Sequence, residues 1–197
     1  MPRIIAGFAG SVQLKAPPRG TRPTADRVRE ALFSALEARD ALEGASVLDL
    51  YAGSGALGLE AVSRGAASAL LVDQNAAAAA VLRANAAAVR RADPAGARAV
   101  VRVAASSVRS ALEGLAAAGA DAPTLVFSDP PYDLPAAAVE QDLAAVARVA
   151  APGAVVVLER SSRTPPPAWP DGMVLDRARR YGDTTVYLAV VEAPANP

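Results

Sequence analysis

Asp129, Pro130, Pro131 and Tyr132 stand together after Thr124–Ser128, a short apolar run with β-branched and aromatic residues that reads as a buried strand. Two adjacent prolines fix φ and carry no N–H, so the turn offers carbonyls and one carboxylate but few donors. Such an acceptor-only pocket suits the NH2 group of an aromatic base, and Tyr132 adds a flat apolar face for that base to stack on. These four are the expected catalytic residues. The same string also fits an ordinary Asx-type turn with an aromatic at its rim.

A second constellation weighs against the plain turn. Ser46 to Tyr51 reads as a strand, the loop Ala52-Gly53-Ser54-Gly55-Ala56-Leu57-Gly58 follows, and Leu59 to Val62 are good helix formers. Strand, glycine turn and helix form a nucleotide-binding geometry: glycines let the backbone approach a ligand, and the helix N-terminus presents free N–H groups. About 20 residues after Gly53, the apolar run Ala69 to Val72 ends in Asp73, where a carboxylate should take both hydroxyls of a ribose.

Glycines at 53, 55 and 58 also satisfy the dinucleotide fingerprint, so a nicotinamide or flavin enzyme is the competing reading. Three features tilt against it. Asp49 lies inside the strand end, where a carboxylate faces a cationic amine better than a pyrophosphate. No second βαβ half carries its own ribose or phosphate signal, and the Asp129–Tyr132 turn has no role in hydride transfer. S-adenosyl-L-methionine fits better, with Asp49 near its amino-acid part, Gly53, Ser54 and Gly55 under the adenosyl group, and Asp73 on the ribose; Tyr51 is a further candidate cofactor-binding residue. After the third strand, Ala105 and Ser106 stand where an acidic residue often meets the adenine amine, so backbone groups are expected to serve there.

Composition bounds the remainder. A chain of 197 residues is enough for one domain with a real core. It has neither cysteine nor histidine. That rules out disulfides, thiolate catalysis and an imidazole base, and no metal site is expected. No stretch approaches a membrane span or a signal-peptide core, which points to the cytoplasm. Net charge is zero, so bulk charge does not drive nucleic-acid binding. The distribution is less even. Residues 1–23 hold Arg3, Lys15, Arg19 and Arg22 with no acidic residue, and Arg177, Arg179 and Arg180 cluster near the other end. Arg3, Lys15, Arg19, Arg22 and Arg180 are the candidate RNA-binding residues, with a solvated surface as the simpler alternative.

The elements that must position these groups follow from periodicity. Residues 3–14 suggest a small β-hairpin and 16–23 a proline-rich loop. Thr24 caps a helix with Asp26 in its first turn and Val28, Leu32, Phe33 and Leu36 as its buried stripe. Strands are expected at 46–51, 69–73, 99–103, 124–128, 154–159, 173–181 and 184–191, the last two joined by Gly182-Asp183. Helices are expected after the glycine loop, from Asn75 to about Arg91, and over 107–118 and 136–149. The fold class is α/β: a Rossmann-like, mostly parallel sheet with helices on both faces and a C-terminal antiparallel hairpin. Residues 1–23 form an N-terminal hairpin and basic loop, 24–191 the catalytic domain, and 192–197 a frayed tail.

With these residues in hand, the chain resembles class I S-adenosylmethionine-dependent methyltransferases. More narrowly it is similar to the bacterial RsmD family of 16S ribosomal RNA guanine-N2 methyltransferases. The carrying segments are Arg3 to Gly7, Pro18 to Glu30, Asp49 to Gly55, Asp129 to Tyr132, Leu158-Glu159-Arg160 and Tyr181 to Thr184, with Arg22-Pro23-Thr24-x-x-Arg27-Val28-Arg29-Glu30 the most specific. The resemblance implies rRNA methylation at a flipped guanine of 16S rRNA or the small ribosomal subunit, in the cytoplasm. Adenine-N6 methylation of DNA or RNA and glutamine-N5 methylation of protein use the same pocket chemistry. A DNA enzyme is disfavoured because 197 residues leave no separate target-recognition domain.

Overall fold

Short apolar runs alternate with helical stretches as far as the fifth strand, Val155–Ser161, and the chain folds accordingly. The computed structural model describes residues 2–17, 26–93, 99–119 and 121–193. Along the chain come α1 (Asp26–Glu37), β1 (Ser46–Leu50), α2 (Ala56–Ser63), β2 (Ser68–Val72), α3 (Ala76–Arg91) and β3 (Val100–Ala104). Then follow α4 (Val108–Ala118), β4 (Leu125–Ser128), α5 (Ala136–Val149), β5 (Val155–Ser161), β6 (Met173–Tyr181) and β7 (Thr184–Val191). The strands form one sheet in the order β3-β2-β1-β4-β5-β7-β6. β1 to β5 run parallel, and β7 pairs antiparallel with both β5 and β6. This is the class I methyltransferase fold, as the alternation of elements implies.

Strand side chains alternate between two cores. Val47, Phe127 and Val157 point to the face covered by α1, α2, α3 and the N-terminal segment, with Phe33, Leu36, Leu59 and Leu82 above them. Leu48, Val126 and Val156 point the other way, beneath Leu112 of α4 and Val139, Leu143 and Val146 of α5. Reversal of strand order between β2 and β4, on either side of β1, opens a crevice at the carboxyl ends of these strands. Among the described residues no helix is long and apolar enough to cross a membrane.

The N-terminal segment folds back on itself as a small hairpin: Arg3 and Gln13 form an antiparallel bridge, flanked by Leu14 N–H to the Pro2 carbonyl at 2.8 Å and Ile4 N–H to the Val12 carbonyl at 3.0 Å. Further backbone donors tie it to α2. The Ile5 and Ala6 N–H groups donate to Glu60 of α2 at 2.6 and 3.0 Å, and Ala9 N–H donates to the Ser63 hydroxyl at 2.9 Å. Ser63 in turn donates to the Ala6 carbonyl at 2.6 Å. Gly7 has φ 81°, and a Cβ there would lie 1.8 Å from the Ser63 carbonyl oxygen. Helix side chains thus dock the hairpin onto α2. Further along, Asn85 of α3 accepts from Lys15 N–H and donates to the Lys15 and Ser54 carbonyls.

Glu60 is fully buried and also accepts from Arg64 Nε at 2.7 Å. Replacing it with glutamine sets an NH2 group among donors and leaves at least one buried N–H unanswered. We expect Glu60→Gln to cost about 2–4 kcal/mol of folding stability. Urea unfolding checks this, and a loss below about 0.5 kcal/mol, the scatter of ordinary surface changes, contradicts it.

Candidate active site

One cavity of about 500 Å³ opens at the carboxyl ends of the parallel strands. Asp49 comes from β1, Asp73 from just beyond β2, Asp129 from just beyond β4 and Glu159 from β5, and all four line it. Pro2, Ala16 and Arg29 close it from the N-terminal side.

The glycine loop is shaped by two of these carboxylates. Asp49 is 1% exposed, and its Oδ2 accepts the Gly58 N–H at 2.9 Å. A Cβ on Gly58 would meet Leu71 at 2.4 Å and Asp49 Oδ2 at 2.9 Å, so only glycine lets this helix turn come so close. Asp73 accepts from Gly53 N–H at 3.0 Å and from Asn75 N–H at 2.8 Å. Asn75 then caps α3, its side chain accepting from Ala77 and Ala78 N–H. A carboxylate has about four lone-pair sites, so Asp73 holds its orientation and still has acceptors directed at the cavity's contents. Gly55, with φ 77°, is the N-cap of α2 and is absent from the cavity wall, whereas Tyr51, Gly53 and Ser54 belong to it.

Tyr51 carries an unusual backbone. At φ 60° it is in the left-handed region that non-glycine residues seldom occupy. Its hydroxyl donates to Asp142 of α5 at 2.5 Å, which fixes the ring across the cavity wall. Burial, and then the Asp142 carboxylate, push the Tyr51 hydroxyl up from its ordinary range. Burial also raises Asp142, against the favourable Tyr51 hydrogen bond.

Asp129 to Tyr132 leave β4 as a short acceptor-rich turn, all four at the cavity. Tyr132 is 43% exposed, and its hydroxyl is 3.1 Å from Thr184 Oγ1 of β7, so its ring stands at the rim. The carboxylates act on one another. Burial is the main cause that raises Asp129 well above the usual range, with Glu159 and then Asp49 adding to it. Burial also pushes Asp49 up to about 7, against the Gly58 N–H that favours its charged form, while Asp73 adds repulsion. A cavity walled by crowded carboxylates invites a cation or a donor-rich ligand.

After β3, Ser107, Val108 and Arg109 line the cavity, and Ala105 and Ser106 precede that lining. Ser107 is the N-cap of α4, accepting from Ser110 N–H at 3.2 Å. Of the candidate RNA contacts, Arg3, Lys15 and Arg180 are exposed. Arg3 and Lys15 neighbour the lining residues Pro2 and Ala16, and Arg180 lies beside Tyr181, the β-partner of Thr184. Arg19, Arg22 and Thr24 lie outside the described residues.

Among the cavity residues without a role in the sequence reading are Arg29 and Glu159. Arg29 is 1% exposed, donating to the Arg3 carbonyl and to Asp26 Oδ1, both at 2.8 Å. Its signal was its spacing: 29, 32, 33 and 36 are i, i+3, i+4 and i+7, so Arg29 shares the buried face with the expected stripe. Glu159 follows an apolar run just as Asp129 does, and that likeness was its signal.

Known proteins agree with this architecture. Residues 2–190 match the family described as Conserved hypothetical protein 95. Over 76 residues the chain is 50% identical to ribosomal RNA small subunit methyltransferase D of Escherichia coli, a match spanning 38% of this chain and 37% of that enzyme. It is 42% identical over 74 residues to the Bacillus subtilis protein YlbH, covering 37% and 39% of the two chains. The aligned stretches thus span under half the length of these curated relatives. Solved structures cover far more. The yhhF candidate methyltransferase of Escherichia coli superposes with a TM-score of 0.79 and 31% identity over 98% of this chain and 99% of that one. An rRNA methyltransferase, aviRa, from Streptomyces viridochromogenes shares the fold, with a TM-score of 0.66 and 19% identity over 89% and 88% of the chains. The chain belongs to the Conserved hypothetical protein 95 family, the RsmD- and YhhF-like methyltransferases.

Proposed function

We propose that this protein methylates the exocyclic N2 amine of a guanine flipped out of 16S rRNA in the small ribosomal subunit, with S-adenosyl-L-methionine as methyl donor. The observation that carries this reading is the meeting, in one cavity, of the Asp73–glycine loop with the acceptor-rich turn Asp129–Tyr132. The first suits an adenosyl group and the second a planar amine. The residues fit the sulfonium cofactor, with Asp73 for the ribose hydroxyls and the buried Asp49 near the amino-acid end.

S-adenosyl-L-methionine, when bound, supplies a methyl group already activated by the sulfonium charge. The chain's own task is positioning. A guanine N2 amine is a poor nucleophile because its lone pair is delocalised into the ring. Asp129 and the Pro130 carbonyl accept its two hydrogens and favour a pyramidal nitrogen whose lone pair faces the methyl group. Tyr132 holds the ring by stacking, its hydroxyl engaged by Thr184 rather than by the base. Arg3, Lys15 and Arg180 meet phosphates near the cavity's rim, and the same phosphate-contacting role is assigned to Arg19 and Arg22, which lie outside the described residues.

Mass analysis of rRNA nucleosides from cells with and without the gene tests the function: N2-methylguanosine in 16S rRNA should fall by one residue per subunit. Loss of an N6-methyladenosine, or of no rRNA methylation at all, contradicts it.

The roles within the turn are separable. Asp129→Ala should slow single-turnover methyl transfer by about 100-fold or more, as expected for a contact that strengthens in the transition state. Tyr132→Phe should be nearly silent, and Tyr132→Ala should weaken base binding by about 1–3 kcal/mol. A dead Tyr132→Phe beside an active Asp129→Ala contradicts these roles.

Asp49 makes cofactor binding pH-dependent. Below pH 7 the folded protein holds a proton there, because its carboxyl is pushed up to about 7. The cationic cofactor favours the carboxylate, so affinity should climb as pH rises toward 7 and proton release should accompany binding below it. The same shift makes Asp49 favour the fold below an unfolded aspartate's pKa of about 4, a contribution lost as pH rises through 7. Calorimetry from pH 5.5 to 7.5 checks the binding, and Asp49→Asn should flatten the profile. A flat profile in the native protein contradicts this role of Asp49.

A further inference from the structure

The proposed chemistry leaves one carboxylate of the cavity without a task. Glu159 is 7% exposed and lines the cavity that holds Asp129. β4 and β5 run parallel with Ser128 opposite Leu158, so the next residues, Asp129 and Glu159, stand side by side at one level. Strand alternation puts both on the face marked by Phe127 and Val157, which is also the face of Asp49. Their repulsion is one cause of the raised Asp129 carboxyl. Burying two carboxylates next to each other is costly, and donor groups on a ligand offset that cost.

A strand spacing of about 4.8 Å separates the two backbones, so their side chains can meet neighbouring atoms on one edge of a base. Guanine carries two adjacent kinds of donor there, the N1–H and the N2 amine. Adenine carries an amine beside N1, which is an acceptor. A second carboxylate is matched to the first base and repels the second.

We propose that Glu159 is a specificity-determining residue whose carboxylate accepts the N1–H of the target guanine while Asp129 and the Pro130 carbonyl hold its N2 amine. A carboxylate has about four lone-pair sites, so contacts with protein neighbours leave acceptors for N1–H. The inference rests on the guanine-N2 reading and goes beyond it: it says why a pocket of acceptors, suited to any amine, takes guanine rather than adenine. Sites built around a substrate hydrogen bond reject analogues lacking the donor because the buried protein group is left unpaired.

The test compares two bases that carry the same N2 amine. Small-subunit rRNA is assembled by ligation around a synthetic oligonucleotide with either guanine or 2,6-diaminopurine at the methylated position. The analogue has a lone pair at N1 in place of N1–H. Single-turnover rates are measured for the native protein, Glu159→Gln and Glu159→Asp. The native protein should prefer guanine by about 100-fold or more. Glu159→Gln, whose amide can donate to the analogue's N1, should narrow that ratio by at least about 10-fold. Glu159→Asp should keep the preference for guanine at a reduced rate. If Glu159→Gln slows both bases equally and leaves their ratio unchanged, Glu159 only supports the wall and the proposal is overturned. If the native protein itself fails on guanine and methylates an adenine or a protein, the functional reading fails, and the native measurement alone reveals it.

Discussion

A carboxylate buried inside a strand end persists only if something answers it, and at Asp49 the answer is the Gly58 N–H. That one hydrogen bond joins the end of β1 to the first turn of α2 and sets the shape of the loop between them. It requires the chain to turn back at once, which Tyr51, Gly53 and Gly55 do with positive φ. It also requires that position 58 have no side chain, because Leu71 and Asp49 occupy the space. Within the same loop Gly53 N–H reaches Asp73 at the end of the neighbouring strand. The glycine-loop side of the cavity, the proposed cofactor side, is therefore set by carboxylate-to-glycine hydrogen bonds, the preorganisation on which positioning catalysis depends.

A second buried polar frame carries the other side. Glu60, Ser63, Asn85 and Arg29 come from three helices, and each bonds to the backbone of the N-terminal segment. Glu60 lies two residues beyond Gly58 on α2, and Asn85 also holds the Ser54 carbonyl of the glycine loop. The segment that walls the cavity through Pro2 and Ala16 is thereby tied to the helix and loop that shape the cofactor side. Burying these polar groups is tolerable because each finds main-chain partners in that segment.

The sheet and most helix ends were legible because period and chemistry agreed. Alternation and apolar runs gave all seven strands to within a residue or two, and the Gly182-Asp183 turn, with Gly182 at φ 60°, joins β6 to β7 as expected. Asn75 and the alanine run fixed α3, and 136–149 matches α5. The small hairpin within 3–14 forms, but the helix side chains that hold its further donors are distant in sequence. Long-range polar satisfaction of this kind has no local signature. Site residues at strand ends were legible because a carboxylate directly after an apolar run is out of place in a core, which holds for Asp49, Asp73 and Asp129. Glu159 obeys the same rule, but its proposed role needs the register of β4 against β5, which only the assembled sheet provides. The lining after β3 falls one to three residues beyond Ala105 and Ser106, at Ser107 to Arg109, because the cap of α4 rather than the strand end faces the cavity.

A crystal structure with S-adenosylhomocysteine bound tests the central claim most directly, that this cavity is divided between an adenosyl-binding half and an amine-binding half. The account predicts ribose hydroxyls on Asp73, the amino-acid end beside Asp49, and the thioether sulfur facing an open space bounded by Asp129 and Tyr132. Adenine seated instead in the Asp129–Tyr132 turn, or a cofactor bound away from Asp73, would contradict it.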